Sequence, residues 1–138
     1  MEKLVSLLLA FKMYVKQFHW TAKGYEIHIL ADRLEEDLDD YIDEAAELYS
    51  VNNEDNKKLL SAEVLMMAQV FVAGKYQGDE TSLELDSLLQ LSGEILEICS
   101  RTPEAVGAVE QGYKDYYGRL SNLMVRKCYL IHLQQRKR

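Results

Sequence analysis

The sequence predicts an all-α protein: four long amphipathic helices, with a short fifth helix in the connection between the second and third. Two observations carry this. Apolar residues recur at intervals of three and four over long stretches, which is the period of a half-buried helix. One Pro and seven Gly in 138 residues leave little room for an all-β fold with its many turns. With 48% hydrophobic and 28% charged residues, the chain can bury one core, so residues 1–138 read as a single domain.

The first helix is expected over residues 2–20. Leu4, Leu8, Phe11, Val15 and Phe18 form its stripe, broadened by Leu7 and Tyr14, while Lys3, Lys12 and Lys16 fall elsewhere. Thr21 to Gly24 is a short turn, with Gly24 as the breaker. The second helix is expected to run unbroken from Tyr25 to Tyr49, with Leu30, Leu34, Leu38, Tyr41, Ala45 and Leu48 facing the core.

Residues 50–60, SVNNEDNKKLL, form a polar connection. Ser61 then caps a short apolar helix over Ala62 to Val72, in which Met66 and Met67 are expected to be core. Gly74 to Asp79 is a loop. Thr81 and Glu84 have capping-box spacing and open the third helix, with Leu85, Leu88, Ile95 and Ile98 on one side. Thr102 before Pro103 reads as a cap followed by a first-turn proline. The fourth helix then continues to about Gln134, turning Val106, Val109, Tyr113, Tyr116, Leu120, Leu123 and Leu130 inward. Its glycines at 107, 112 and 118 weaken it somewhat. The basic tail after it is expected to fray. Four long helices with one long crossing connection have the plan of a ferritin-like four-helix bundle.

The second helix also carries two pairs of candidate ligands, His28 with Asp32 and Asp43 with Glu47, each four residues apart. That spacing puts the members of a pair on one helical face. At about 100° per residue, this face lies roughly 160° from the leucine stripe, pointing away from the chain's own core. Along one helix the pairs are about 22 Å apart, too far to share an ion. They are, however, placed symmetrically about residues 37–38. A second copy lying antiparallel across a two-fold axis there would set His28 beside its partner's Glu47, and Asp32 beside its partner's Asp43. The spacing therefore predicts a metal site shared between subunits. The same pairing brings Glu36 toward the partner's Asp39, which demands solvation, protonation, a basic partner or bridging cations.

Imidazole with carboxylate suits Fe(II), Zn(II) and Mn(II), and carboxylate oxygen favours the harder ferric state. The set therefore fits a place where ferrous iron is oxidised. A two-metal centre inside one bundle would need Glu-x-x-His motifs on different helices, and none is present. His19, ending the first helix beside Trp20, is near enough along the chain to complete a site with His28 and Asp32.

FHWTAKG at residues 18–24, HILAD at 28–32 and DEAAE at 43–47 together resemble the Dps family, the DNA-binding, iron-oxidising mini-ferritins of starved bacteria. That family ends its first helix with His-Trp, and its second helix carries His-x3-Asp followed by Asp-x3-Glu. The matching positions are His19-Trp20, His28, Asp32, Asp43 and Glu47. The resemblance implies a hollow dodecameric shell of identical subunits with ferroxidase sites at its two-fold interfaces. His19, His28 and Asp32 would come from one subunit, and Asp43 and Glu47 from its mate. Ferrous iron would be oxidised there by hydrogen peroxide or oxygen and stored as ferric mineral, protecting DNA from oxidative damage. Trp20 would be a redox-active neighbour or a packing aromatic. The motif-bearing match covers roughly residues 8–50, and the turn after His19 is shorter than the family's usual loop.

Other features carry less. A formal charge of −7 argues against a large nucleic-acid surface, and the first helix begins too early for a Lys-rich arm. DNA contact rests on Arg136, Lys137 and Arg138 alone. Cys99 and Cys128 form no CxxC unit and read as free, buried thiols of a reducing compartment. The apolar run of residues 4–11 is too short for a membrane span and resembles no leader, so a cytoplasmic location is expected. His132 reads as solvated or structural, and Tyr113, Tyr116, Tyr117 and Tyr129 as packing residues. An isolated His/Asp pair is more often a solvated surface pair than a ligand set. Here the paired spacing, the symmetry, the face turned away from the core and the upstream His-Trp favour a metal site. The rival expectation is a non-enzymatic shell or scaffold of the same fold, with a structural zinc or an empty interface.

Overall fold

The structure, a computed structural model, describes residues 1–52, 59, 61–103, 105 and 107–137. Among these it is all helical, with α1 Glu2–Trp20, α2 Tyr25–Glu35, α3 Leu38–Asn52, α4 Ser61–Ala73, α5 Thr81–Cys99 and α6 Ala108–Gln135.

Helix α1 has the expected bounds, and every residue assigned to its apolar stripe is buried. It ends because Thr21 closes the last turn, its N–H donating to the Gln17 carbonyl at 3.0 Å. Gly24 then turns the chain with φ 106°, a left-handed conformation open to glycine, and caps α2 through His28 N–H to its carbonyl.

The expected single helix from Tyr25 to Tyr49 is in fact two. It breaks at Glu36 and Asp37, where Glu36 is extended and Asp37 has φ 66°, and the second piece runs on to Asn52. The periodic pattern passes through the break without a gap, because Leu34 and Leu38 on either side are both fully buried. Periodicity alone therefore cannot reveal it.

Helices α2 and α3 pack antiparallel on α1, as the pairs Lys12–Asp39 and Lys16–Glu35 show. They also pack antiparallel on α6, through Lys137–Glu26 at one end and the Arg119 fork on Glu44 toward the other. Tyr116 and Tyr113 hydroxyls donate to the carbonyls of Tyr41 (2.6 Å) and Leu48 (3.2 Å), fastening α3 to α6. Helix α5 packs against α1 and α6. One core joins all six helices, built around Leu7, Phe11, Phe18, Leu34, Leu88, Ile95, Tyr116 and Leu120. Each such side chain contributes about 1.5–3 kcal/mol by leaving water.

Helix α4 lies between α3 and α5 in sequence and packs on α1, where Ser6 Oγ donates to the Val64 carbonyl. Ser61, expected to cap it, is instead its first helical residue, and the helix runs to Ala73. Val64 and Ala68 face inward, so Met66 and Met67, expected in the core, are instead 67% and 39% exposed on its outer face. The alternation of small inward residues with larger outward ones hides this in a run that is apolar all round.

Two expected caps do not form. Glu80, not Thr81, precedes α5, and no side chain caps that helix. The carboxylate of Glu84 instead accepts from Thr21 Oγ1, a tertiary contact that outcompetes a local one. Helix α6 starts at Ala108 behind Gly107, whose φ is 68°, and Pro103 lies outside the helix. Gly107 is thus a cap rather than an interior weakness. Most of the expected polar connection, together with Val106 and Arg138, lies outside the described residues. At the other end α6 reaches Gln135, and Lys137 pairs with Glu26. Among the described residues no helix is long and apolar enough to cross a membrane.

Candidate metal centre

The turn from Thr21 to Gly24 doubles the chain back so that the last turn of α1 lies against the first turns of α2. His19 is carried directly over His28. Its Nε2 lies 2.8 Å from His28 Nδ1 and 3.4 Å from His28 Nε2, with the two rings edge to face at 4.1 Å. Asp32, one turn along α2, completes the group, with Oδ1 3.7 Å from His19 Nδ1 and Oδ2 3.9 Å from His28 Nε2. One ligand atom from each residue falls within 4.8 Å of the others, and no other such group occurs among the described residues.

These distances are close to what one ion demands. Two nitrogens bound at about 2.1 Å to a tetrahedral ion stand about 3.4 Å apart. The two Nε2 atoms already have that separation. Without a cation, His19 Nε2 and His28 Nδ1, 2.8 Å apart, can share a proton, one ring donating to the other. Asp32 adds the negative charge that a divalent ion at this point would need. The side chains of His28 and Asp32 are about half exposed and that of His19 a quarter, so an ion can enter from solvent.

Asp43 and Glu47 do not join this group within the chain. Both are exposed on α3, on the far side of the break, and neither takes part in an ion pair among the described residues. Their neighbour Glu44 does, with Arg119. All four residues expected to face away from the core on α2 and α3 do so: His28, Asp32, Asp43 and Glu47.

The acidic stretch between the pairs is supplied with bases. Lys12 of α1 meets Asp39 and Lys16 meets Glu35 at 2.6 Å. Of the four ways open to the repulsion expected around Glu36 and Asp39, a basic partner is present for Asp39.

Three supporting residues are not legible as such in the sequence. Tyr25 stacks on the His28 ring at 6.5 Å and 19°, one turn before it. Thr21 ties the turn after His19 to the Glu84 carboxylate at 2.8 Å. Burial pushes the Glu84 carboxyl above its usual range, and the Thr21 hydrogen bond works against that rise. Glu84 itself looks like half of a capping box, so its true partner is hidden by a plausible local one. Trp20, beside His19, is 71% exposed and is not a core residue. Cys99 and Cys128 are free and partly buried, and burial raises both thiols, Cys99 to about 11, which leaves them unreactive at neutral pH. No protein-family model, curated protein or solved structure matches the chain.

Proposed function

We propose that this chain is a ferritin-like, Dps-like ferroxidase that takes ferrous iron as its substrate at a site shared by two subunits. The single observation that carries the proposal is the convergence of His19, His28 and Asp32 on one accessible point, facing away from the core. A reaction that turns Fe(II) into Fe(III) needs nitrogen donors that accept the ferrous ion and anionic oxygen that favours the ferric one. One chain offers two imidazoles and a single carboxylate at that point. The further carboxylates, Asp43 and Glu47, stand ready on the same outward side for a second copy.

In this reading the four long-helix units are α1, α2 with α3, α5 and α6, and α4 rides in the crossover. Two copies pair antiparallel along α2 and α3, and further copies close a shell, a dodecamer by family resemblance, in the cytoplasm. Two ferrous ions give one electron each to one peroxide, which takes up two protons and leaves as two waters. Oxygen is the alternative oxidant. The ferric product hydrolyses and is stored as mineral. Removal of iron and peroxide together protects DNA without requiring a DNA-binding arm.

The test is ferric absorbance after peroxide is added to anaerobic protein loaded with Fe(II), alongside mass in solution. Asp43→Ala/Glu47→Ala is expected to fold but to oxidise iron far more slowly. If the double variant assembles and oxidises iron at the wild-type rate, the shared-site reading is wrong. A structural zinc site is favoured by one observation, the near-tetrahedral separation of the two Nε2 atoms. It predicts tight zinc binding with no acceleration of iron oxidation.

A further inference from the structure

Among the described residues the buried charged side chains are Glu84 and Lys127. Lys127 lies on α6 and is 3% exposed. Its Nζ donates to the Glu36 carbonyl at 2.8 Å and the Arg33 carbonyl at 3.2 Å. In an unbroken helix those two carbonyls would accept from the backbone N–H groups of Asp40 and Asp37, four residues on. The chain between them departs from the helix instead, with Glu36 at φ −52° and ψ 135° and Asp37 at φ 66°. A left-handed residue other than glycine costs about 1–2 kcal/mol, and Asp bears it better than most.

Nothing local requires this departure. From Tyr25 to Asn52 there is neither Pro nor Gly, and the apolar period is continuous. Carbonyls left without a donor would draw the chain back into one helix. A donor from another element removes that pull, and Lys127 is that donor.

We infer that Lys127 is a positioning residue for the proposed iron site: by occupying the Arg33 and Glu36 carbonyls it holds the bend at Glu36–Asp37, and so sets the direction of Asp43 and Glu47 relative to His28 and Asp32. In this role it depends on the function proposed above, whereas the bend can be measured without iron. The geometry of a shared site makes the angle matter. Across a two-fold axis near residues 37–38, a change of angle at the bend moves each carboxylate pair relative to the imidazoles it must meet.

The charges around Lys127 are Arg33 from α2, Glu36 and Asp37 from the bend, and Arg126 from α6, and all four line a cavity of about 290 Å³. Burial pulls Lys127 down to about 8, against the pull of Asp37 and Glu36. The neutral amine keeps two N–H donors, enough for both carbonyls, and no longer resists burial. Raising the pH through 8 therefore secures the bend and does not release it.

Backbone amide exchange on iron-free protein tests this directly. In the wild type, the Asp37 and Asp40 amides exchange much faster than those of Leu34 and Ala45. Lys127→Met keeps the bulk but removes the donor, so these two amides turn to the vacated carbonyls and slow by roughly tenfold or more. A variant that was merely less stable would show faster exchange there. Lys127→Arg, which keeps the donors, restores the fast exchange. Iron oxidation falls about 10–100-fold in Lys127→Met and recovers in Lys127→Arg. Should the Met variant fail to fold, Lys127→Gln, too short to reach both carbonyls, is expected to show the same slowing. Slow exchange at Asp37 and Asp40 in the wild type, or no change on removing the donor, overturns the role. Amides that respond as expected in a wild-type protein that oxidises no iron would remove the proposed function and the positioning role with it, leaving the bend alone.

Discussion

The two faces of the α2–α3 stretch are built for different ends. The inner face is buried at Leu30, Leu34, Leu38 and Ala45 and half-buried at Tyr41 and Leu48, and it crosses the bend without interruption. The outer face, His28, Asp32, Asp43 and Glu47, is exposed throughout, and the bend divides it. On the α2 side, His19 arrives from α1 and the ligands stand together. On the α3 side the two carboxylates have no such company. The contrast teaches that a helix can contribute fully to its own core while leaving its chemistry incomplete. The inner face is satisfied within one chain, because hydrophobic burial asks only for neighbours. The outer face is not, because an ion asks for several donors at set distances.

Four measurements break or sharpen this contrast. Leu34→Ala, at a fully buried inner position, is expected to cost about 2–5 kcal/mol in urea denaturation and leave metal binding per folded molecule unchanged. A near-neutral result would mean that the inner face does not hold the fold. Asp43→Ala/Glu47→Ala, on the outer face, is expected to slow iron oxidation about 100-fold, or roughly 2.7 kcal/mol in the barrier, with the melting temperature preserved. A large loss of stability instead would place these carboxylates in the inner face's role.

His19→Ala comes next. It leaves His28 and Asp32 as a pair, so oxidation is expected to fall about tenfold and cobalt or zinc affinity to fall with it. Titration with either ion, followed by calorimetry, checks this without iron. An unchanged affinity would show that α1 adds nothing to the site. The smallest effect concerns Glu84, which steadies the turn behind His19 through Thr21. Its folded carboxyl binds its proton more tightly than the usual 4.5 implies, so its contribution to stability is full in acid and is lost as the pH rises through the folded value. Glu84→Gln cannot ionise and still accepts from Thr21. Its stability relative to wild type is expected to rise between pH 4.5 and 7, by less than about 1 kcal/mol. Denaturation at the two pH values decides it, and a fall would mean that the charged form is the stabilising one.

Much of this was legible in advance for identifiable reasons. The first helix was readable to the residue because a polar start, a broad apolar stripe and the Gly24 breaker all agree. The outward placement of His28, Asp32, Asp43 and Glu47 followed from angle alone, given a leucine stripe that had to face inward. The errors have two causes. The break at Glu36–Asp37 and the side chain of Glu84 each involve a group far away in sequence, whereas the exposure of Met66 and Met67 is hidden by a run that is apolar all round. At Glu36–Asp37 and at Glu84, local spacing offered a reasonable partner, and a distant one took its place. The late start of α6 is different: Pro103 marked a possible beginning, and the helix began instead behind the left-handed Gly107.

By itself, then, the sequence determined the all-helical class, the inner stripes and which side of the second helical stretch carries the candidate ligands. Those properties depend on periodicity, and a period is contained in the chain. The tertiary structure decided that His19 meets His28 and Asp32, that Lys12 and Lys16 neutralise part of the acidic stretch, and that Lys127 reaches two carbonyls at the bend. Each of these pairs a group with a partner on another helix. Spacing along the chain says what a helix turns toward its neighbours, but only packing says which neighbour answers.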